Sequence, residues 1–132
     1  MSPDYTAAVL VADRHHGLFE GIRGLLQTTF GRVFFVTDKT ALIDRVGRLQ
    51  PTVIIMDLSF ASGNLPDLVR EIRRLAPAVR LVLLSVHNEP TVIAYANAAG
   101  ADGLVVKRAI ATDLMPAIEG VLAGQRHFPA ID

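Results

Sequence analysis

Four polar residues of this 132-residue chain stand directly after runs of apolar residues. They are two carboxylates, one hydroxyl and one ammonium: Asp13, Asp57, Ser85 and Lys107. If the apolar runs are parallel strands, the carboxyl ends of the strands share one edge of a sheet, and ligands bind in the crevice beyond that edge. Carboxylates hold hard cations, and an ammonium pairs with phosphoryl oxygens. The four residues together therefore favour a site for a divalent cation and a phosphoryl group.

Each of these residues, taken alone, is also explained as a polar side chain at the point where a buried strand meets solvent. Four of them at four strand ends make that explanation weaker. The lysine stands out further, because the chain carries 13 basic residues of which only Lys39 and Lys107 are lysines.

The elements that must position these residues follow from an alternation of short apolar runs with helical periodicity. That alternation is typical of βα units around a parallel sheet with five strands and five helices. The apolar runs predict strands at residues 7–12, 33–36, 53–56, 81–84 and 104–106. Gly31 is expected to end the first helix, Asp38 to cap the second and Thr112 to cap the last.

The composition is that of one folded domain. Apolar residues make up 51% of the chain and charged residues 20%, with 13 basic against 13 acidic side chains. The neutral balance disfavours direct nucleic-acid binding by this segment, and the apolar runs are too short to cross a membrane. The absence of cysteine excludes disulfides and thiolate metal sites and is typical of a cytoplasmic protein.

Four blocks of the sequence resemble the receiver domain of bacterial response regulators, the CheY-like family. These blocks are residues 9–13, 56–58, 84–89 and 100–107. Two further blocks, residues 19–26 and 122–126, are similar to the subgroup in which a LuxR-type helix-turn-helix domain follows the receiver. The resemblance implies an α/β fold whose parallel sheet has the strand order 2-1-3-4-5, with helices on both faces. It also implies a receiver domain over residues 1–124 and the start of a linker or C-terminal tail over residues 125–132.

The resemblance also implies roles for single residues. Asp57 matches the aspartate that accepts a phosphoryl group from a sensor histidine kinase, while Ser85 and Lys107 match residues that contact the phosphoryl oxygens. Asp13, Asp57 and the backbone carbonyl of Ser59 match the ligands of Mg²⁺. Such a protein is not an enzyme beyond the self-catalysed transfer of the phosphoryl group to Asp57.

The chain departs from the family pattern at three places. Arg14 stands where a second acidic residue is usual, residues 60–64 lack the usual loop pattern, and Leu104 replaces a common aromatic residue. Arg14 is expected either to turn into solvent or to form a bidentate pair with Asp57 or Asp13. In both cases the expected binding of Mg²⁺ is weak.

Three functions remain open at this point. The first is a phosphorylation-controlled switch that governs an output domain, most simply one that acts in transcription. The second is an atypical receiver-like interaction module that works without phosphorylation, because Arg14 replaces an acidic metal ligand. The third is a phosphatase with an aspartate nucleophile, which is disfavoured because Ser59 occupies the position where that chemistry needs a second acid. The intact pair of Ser85 and Lys107 favours the switch.

The expected partners are a sensor histidine kinase, an output domain of the same or another chain, and a second copy of the chain. A homodimer would use the last helix or the face of the fourth helix and fifth strand, with a small apolar surface around Ala94, Tyr95 and Ala98. No direct nucleic-acid contact and no membrane contact are expected for this segment.

The histidines are predicted to be exposed loop residues rather than a metal cluster. His15 and His16 are adjacent and cannot both face one site on a regular element, and His87 and His127 lie far from them in the chain.

Overall fold

The computed structural model describes residues 7–130, so the first six residues of the predicted domain and the last two of the predicted tail lie outside the described residues. The strands are β1 (Ala8–Ala12), β2 (Arg32–Val36), β3 (Val53–Asp57), β4 (Arg80–Ser85) and β5 (Gly103–Val106). The helices are α1 (His16–Leu26), α2 (Lys39–Leu49), α3 (Leu65–Leu75), α4 (Pro90–Ala98) and α5 (Ile110–Leu122). Two 3₁₀ turns cover Leu58–Ala61 and Lys107–Ala109. Within residues 7–130, no helix has the length and apolar character needed to cross a membrane.

All five strands pair in parallel, in the order β2-β1-β3-β4-β5. β3 lies at the centre, where Ile55 is opposite Val11 of β1 and Val82 of β4. Every residue of β3 is buried, as expected for a strand covered on both faces. The predicted strand order and parallel sense are confirmed.

The core lies in two layers because successive side chains of a strand point to opposite faces of the sheet. On one face, Ile54 and Met56 of β3 pack in a cluster that includes residues of α2, α3 and α4. On the other face, Val53 and Ile55 pack in a cluster with residues of α1 and α5. This sandwich leaves the carboxyl edge of the sheet free of covering helices, which is where the candidate site must lie.

The first helix ends earlier than the sequence predicts. α1 stops at Leu26, and the carbonyl of that residue accepts hydrogen bonds from the N–H groups of both Thr29 and Phe30. The chain therefore turns before Gly31, and the turn buries Phe30 in the core. The burial of this aromatic ring gives a physical reason for the earlier turn.

The last helix begins earlier than predicted. The 3₁₀ turn over Lys107–Ala109 continues directly into α5, so Thr112 lies inside the first turn of the helix and does not cap it. Its hydroxyl instead donates to the carbonyl of Ala109 at 3.2 Å. The Thr112 cap predicted from the sequence is therefore wrong.

Asp38 caps α2 as predicted, since its Oδ1 accepts a hydrogen bond from the N–H of Ala41 at 2.8 Å. Asp38→Ala leaves that N–H without its side-chain acceptor, so we expect the free energy of unfolding to fall by about 1 kcal/mol in urea denaturation. Asp44→Ala is the matched control, because Asp44 is an exposed carboxylate on the same helix and its ion pair with Arg48 contributes about 0.5 kcal/mol or less. Equal losses in the two variants would contradict the capping role.

Candidate functional site

The four strand-end residues meet at the carboxyl edge of the sheet. Asp13 directly follows β1, Asp57 ends β3, Ser85 ends β4, and Lys107 directly follows β5. A pocket of about 420 Å³ opens at this edge. It is lined by His15, Asp57, Leu58, Ser59, Ser85, Val86, His87 and Lys107.

Lys107 joins the two carboxylates. Its Nζ lies 2.8 Å from Oδ2 of Asp13 and 3.5 Å from Oδ1 of Asp57. The lysine side chain is only 16% exposed, so water screens these ion pairs less than it would at the surface. The predicted proximity of Asp57 to Asp13 and Lys107 is confirmed.

Asp13 is fully buried, and its ionised form is stabilised by three contacts. Besides the ion pair with Lys107, Oδ1 accepts hydrogen bonds from the backbone N–H of His15 at 2.9 Å and contacts Nδ1 of the His15 ring at 3.0 Å. Burial by itself raises the pKa of Asp13, but Lys107 and His15 together outweigh it and hold the pKa below its ordinary value. The carboxylate is therefore negative at neutral pH.

His15 is the site residue that sequence reasoning missed. It is exposed, as expected of a loop histidine, but both its backbone and its ring contact Asp13. The spacing held a usable signal, since an aspartate side chain often bonds the backbone two residues further along the chain.

Asp57 is nearly buried but reaches the pocket, with 11% of its side chain exposed. Its Oδ1 faces Lys107, while its Oδ2 accepts a hydrogen bond from Oγ of Ser59 at 2.6 Å. Ser59 follows Asp57 by two residues in the 3₁₀ turn. Both carboxylate oxygens are thus oriented by a neighbouring polar group.

Ser85 is buried beside this carboxylate in the pocket wall. Its Oγ accepts a hydrogen bond from the N–H of His87 at 3.0 Å. The hydroxyl keeps its own hydrogen for donation. Ser85 therefore has the chemistry needed to bind an anionic oxygen in the pocket.

Arg14 turns away from the carboxylates. Its guanidinium carbon lies 5.2 Å from the centroid of the Phe60 ring, and the side chain is exposed. In the described part of the chain, the ion-pair partners of Asp13 and Asp57 are His15 and Lys107. Of the two expected conformations of Arg14, the structure has the outward one, in which the face of the Phe60 ring attracts the cation.

The oxygen atoms at this edge suit Mg²⁺, which proteins hold through one or two carboxylates together with water and substrate phosphates. Oδ2 of Asp13 is a buried oxygen that no donor meets with hydrogen-bond geometry, although Lys107 lies in ion-pair contact with it. Among residues 7–130, no three acidic or histidine side chains cluster as a metal site. Asp13 and Asp57 still supply the one or two carboxylates that Mg²⁺ uses, although one fewer than if Arg14 were acidic.

Residues 9–119 match the family described as the response regulator receiver domain. The chain belongs to this family. Curated relatives of this receiver domain include the transcriptional regulatory protein RcsB of Escherichia coli K12, which is 29% identical over 126 residues. They also include DegU of Brevibacillus brevis, which is 25% identical over 122 residues. The matches cover 92% and 91% of this chain but only 58% and 52% of the relatives, so the chain spans little more than half of their length.

Solved structures with the same fold include receiver domains of RcsB. The non-phosphorylated receiver domain from Escherichia coli has a TM-score of 0.83 at 29% identity, covering 94% of this chain and 98% of that one. The apo receiver domain from Salmonella enterica serovar Typhimurium has a TM-score of 0.83 at 30% identity, covering 93% and 92% of the two chains. This domain is therefore a receiver domain of the two-component response regulators, and its curated relatives are transcriptional regulatory proteins.

The lowered pKa of Asp13 predicts an acid-dependent loss of stability in metal-free buffer. A carboxylate with a pKa below its unfolded value of about 3.9 stabilises the folded state above that value, and the contribution is lost as the pH falls through the folded pKa. We expect urea denaturation to give the native chain a larger free energy of unfolding than Asp13→Asn at neutral pH. This difference should shrink as the pH falls through the folded pKa of Asp13. The loss is about 1.4 kcal/mol for each unit by which the pKa is lowered. A difference between the two chains that stays constant with pH would contradict the assignment.

Proposed function

We propose that this receiver domain accepts a phosphoryl group on Asp57 from a sensor histidine kinase, and that the phosphorylated form controls an output domain. The observation that carries the proposal is the position of the Asp57 carboxylate. It opens into the pocket, with Nζ of Lys107 3.5 Å from Oδ1 and the hydroxyl of Ser59 on Oδ2.

The reaction needs one nucleophile and groups that hold the negative charge of the transferred phosphoryl group. A carboxylate oxygen of Asp57 attacks the phosphorus of a phosphohistidine, and an O–P bond forms while the P–N bond breaks. The electron pair of the broken bond leaves with the imidazole nitrogen. Lys107 then pairs with a phosphoryl oxygen, and Ser85 donates its O–H to another.

Mg²⁺ fits the same site, where Asp13, Asp57 and the Ser59 carbonyl would hold it. When bound, the cation offsets negative charge on the transferring group. Receiver domains generally bind Mg²⁺, and Arg14 makes the affinity of this domain weaker.

The partners follow from the relatives. RcsB of Salmonella enterica serovar Typhimurium has been solved bound to the promoter P1flhDC with the phosphomimetic BeF3⁻, and this domain matches 61% of that chain. By analogy, the output is transcriptional, the protein is cytoplasmic, and the output domain rather than this neutral segment contacts DNA. Residues 1–124 form the receiver, and residues 125–132 begin a linker or tail.

The predicted homodimer surface on α4 is accessible, because Ala94, Tyr95 and Ala98 are exposed. The homodimer itself stays a prediction.

The alternative, an interaction module that works without phosphorylation, rests on Arg14. It is not favoured, because the outward position of Arg14 leaves Asp57 open to the pocket and leaves Lys107 and Ser85 beside it. The residues of phosphoryl transfer are thus together and accessible.

Asp57→Asn tests the phosphoryl acceptor. Incubation with acetyl phosphate and Mg²⁺ should add one phosphoryl group to the native chain, as measured by intact mass, and none to the variant, because the amide is not a nucleophile of this kind. Asp67→Asn is the matched control, since Asp67 is an exposed carboxylate on α3 and should not affect the reaction. If neither the native chain nor Arg14→Asp gains a phosphoryl group, the switch is wrong and the interaction module stands.

The position of Arg14 predicts which property of that residue weakens Mg²⁺ binding. The guanidinium is exposed and lies over Phe60, so its charge is screened and the missing carboxylate is the larger effect. Metal titration at equal ionic strength should show Arg14→Asp binding Mg²⁺ about tenfold more tightly, which corresponds to about 1.4 kcal/mol. Arg14→Gln, which removes the charge without adding a ligand, should gain less than half of this free energy. Equal affinities in all three chains would make Arg14 a bystander.

A further inference from the structure

α4 is held to the domain by few apolar side chains. Of its nine residues only Ile93 and Ala96 are buried, whereas α5 has five buried residues among its thirteen. Tyr95 and Val86, the residue after β4, are the exposed large apolar side chains of the described region. An element with so little apolar burial opens or shifts at low cost in free energy. The polar contacts of α4 therefore decide much of its position.

The Tyr95 hydroxyl of α4 accepts a hydrogen bond from the N–H of Leu65 at 3.0 Å, and the last turn of α4 has further polar contacts with a segment that follows α5. We name residues 125–128 the tail segment. The guanidinium of Arg126 donates to the carbonyl of Ala101 at 2.7 Å, to the carbonyl of Asn97 at 3.3 Å and to Oδ1 of Asn97. One arginine of the tail segment thus joins the last turn of α4 to the loop before β5.

The tail segment also pairs with the free edge of β5. The N–H of His127 donates to the carbonyl of Asp102 at 3.0 Å, and the N–H of Leu104 donates to the carbonyl of His127 at 2.9 Å. This makes a parallel bridge between His127 and Gly103. Gly103 permits the approach, because a Cβ there would lie 2.8 Å from the His127 carbonyl oxygen. Phe128 packs against the core beside this bridge.

The phosphorylation site and the tail segment are connected through α4. Ser85 ends β4, and its hydroxyl holds the N–H of His87 in the loop that leads into α4 at Pro90. A Ser85 hydroxyl that turns to a phosphoryl oxygen changes its contact with that loop. That loop joins β4 to the start of α4, and the end of α4 carries the Arg126 contacts.

We propose that the tail segment is a latch that closes on α4 and β5 in the unphosphorylated domain and opens when Asp57 is phosphorylated. The latch opens because a shift of α4 removes Asn97 from Arg126, which then keeps only its contact with the Ala101 carbonyl and holds the tail segment less firmly beside β5. Opening releases residues 125–128 from the edge of β5. This inference rests on the proposed phosphorylation of Asp57.

Amide hydrogen exchange measured by NMR tests the latch in the native chain and in Arg14→Asp, each with and without Mg²⁺ and beryllofluoride. The amides of His127 and Leu104 report the two hydrogen bonds of the latch, and the chemical shift of the Ser59 amide reports occupancy of the site. We expect beryllofluoride to shift the Ser59 signal and to speed exchange at His127 and Leu104 by about tenfold or more, which corresponds to about 1.4 kcal/mol of lost protection.

Two variants open the latch without phosphorylation. Arg126→Gln removes the guanidinium contacts, and Gly103→Ala displaces the His127 carbonyl. Both should speed exchange at His127 in the absence of beryllofluoride. Because coupling between two sites is reciprocal, Arg126→Gln should also bind beryllofluoride several-fold more tightly. Arg70→Gln is the matched control, since Arg70 is an exposed arginine on α3 and pairs only with Asp67 among the ion pairs of residues 7–130.

The outcomes separate the latch from the proposed function. A shift at Ser59 with unchanged exchange at His127, or an Arg126→Gln variant that behaves like Arg70→Gln, overturns the latch and leaves phosphorylation standing. The absence of any Ser59 shift in both the native chain and Arg14→Asp overturns the proposed function, and the latch with it.

Discussion

Two carboxylates of like charge at one buried edge are the electrostatic constraint on which the rest of the site depends. β1 and β3 are neighbours in the sheet, so Asp13 and Asp57 lie side by side and their negative charges repel. Lys107 relieves this repulsion by contacting both. It comes from the end of β5, two strand spacings of about 4.8 Å from β3, so the long lysine side chain has to pass the end of β4. Ser85 is the small residue at that end.

The same arrangement explains why the site suits a phosphoryl group. The lysine stabilises two negative charges in the unphosphorylated domain, and its ammonium, with three N–H donors, can also donate to an oxygen of a third anionic group. Asp57 is oriented by Lys107 on one oxygen and by Ser59 on the other, and yet it opens into the pocket. Burial, charge and access are thus combined at a single carboxylate.

Two departures from the family pattern turn out to be one feature. Arg14 follows β1 and Phe60 lies in the 3₁₀ turn after β3, with four elements of the chain between them, but the guanidinium lies over the ring. The aromatic face holds the cation outside the carboxylate pair, so the basic residue does not compete with Lys107. The charge at position 14 therefore lies beside the site without closing it.

The sequence by itself determined the α/β class, the five strands, their parallel order through the family resemblance, and the meeting of Asp13, Asp57, Ser85 and Lys107. It did so because buried parallel strands are continuous apolar runs, and because polar residues directly after such runs must share one edge of the sheet. These are local patterns of sequence.

Only the tertiary structure decided the contacts between segments distant in the chain. The choice between two conformations of Arg14 depended on whether Phe60 presented its ring, and the end of α1 depended on the burial of Phe30. The contact of His15 with Asp13 was short in sequence but needed the turn after β1 to form. The return of His127 to the edge of β5 joins residues on either side of α5, and no periodicity records it. Such contacts arise from packing geometry in three dimensions, which hydrophobic patterns along one chain do not contain.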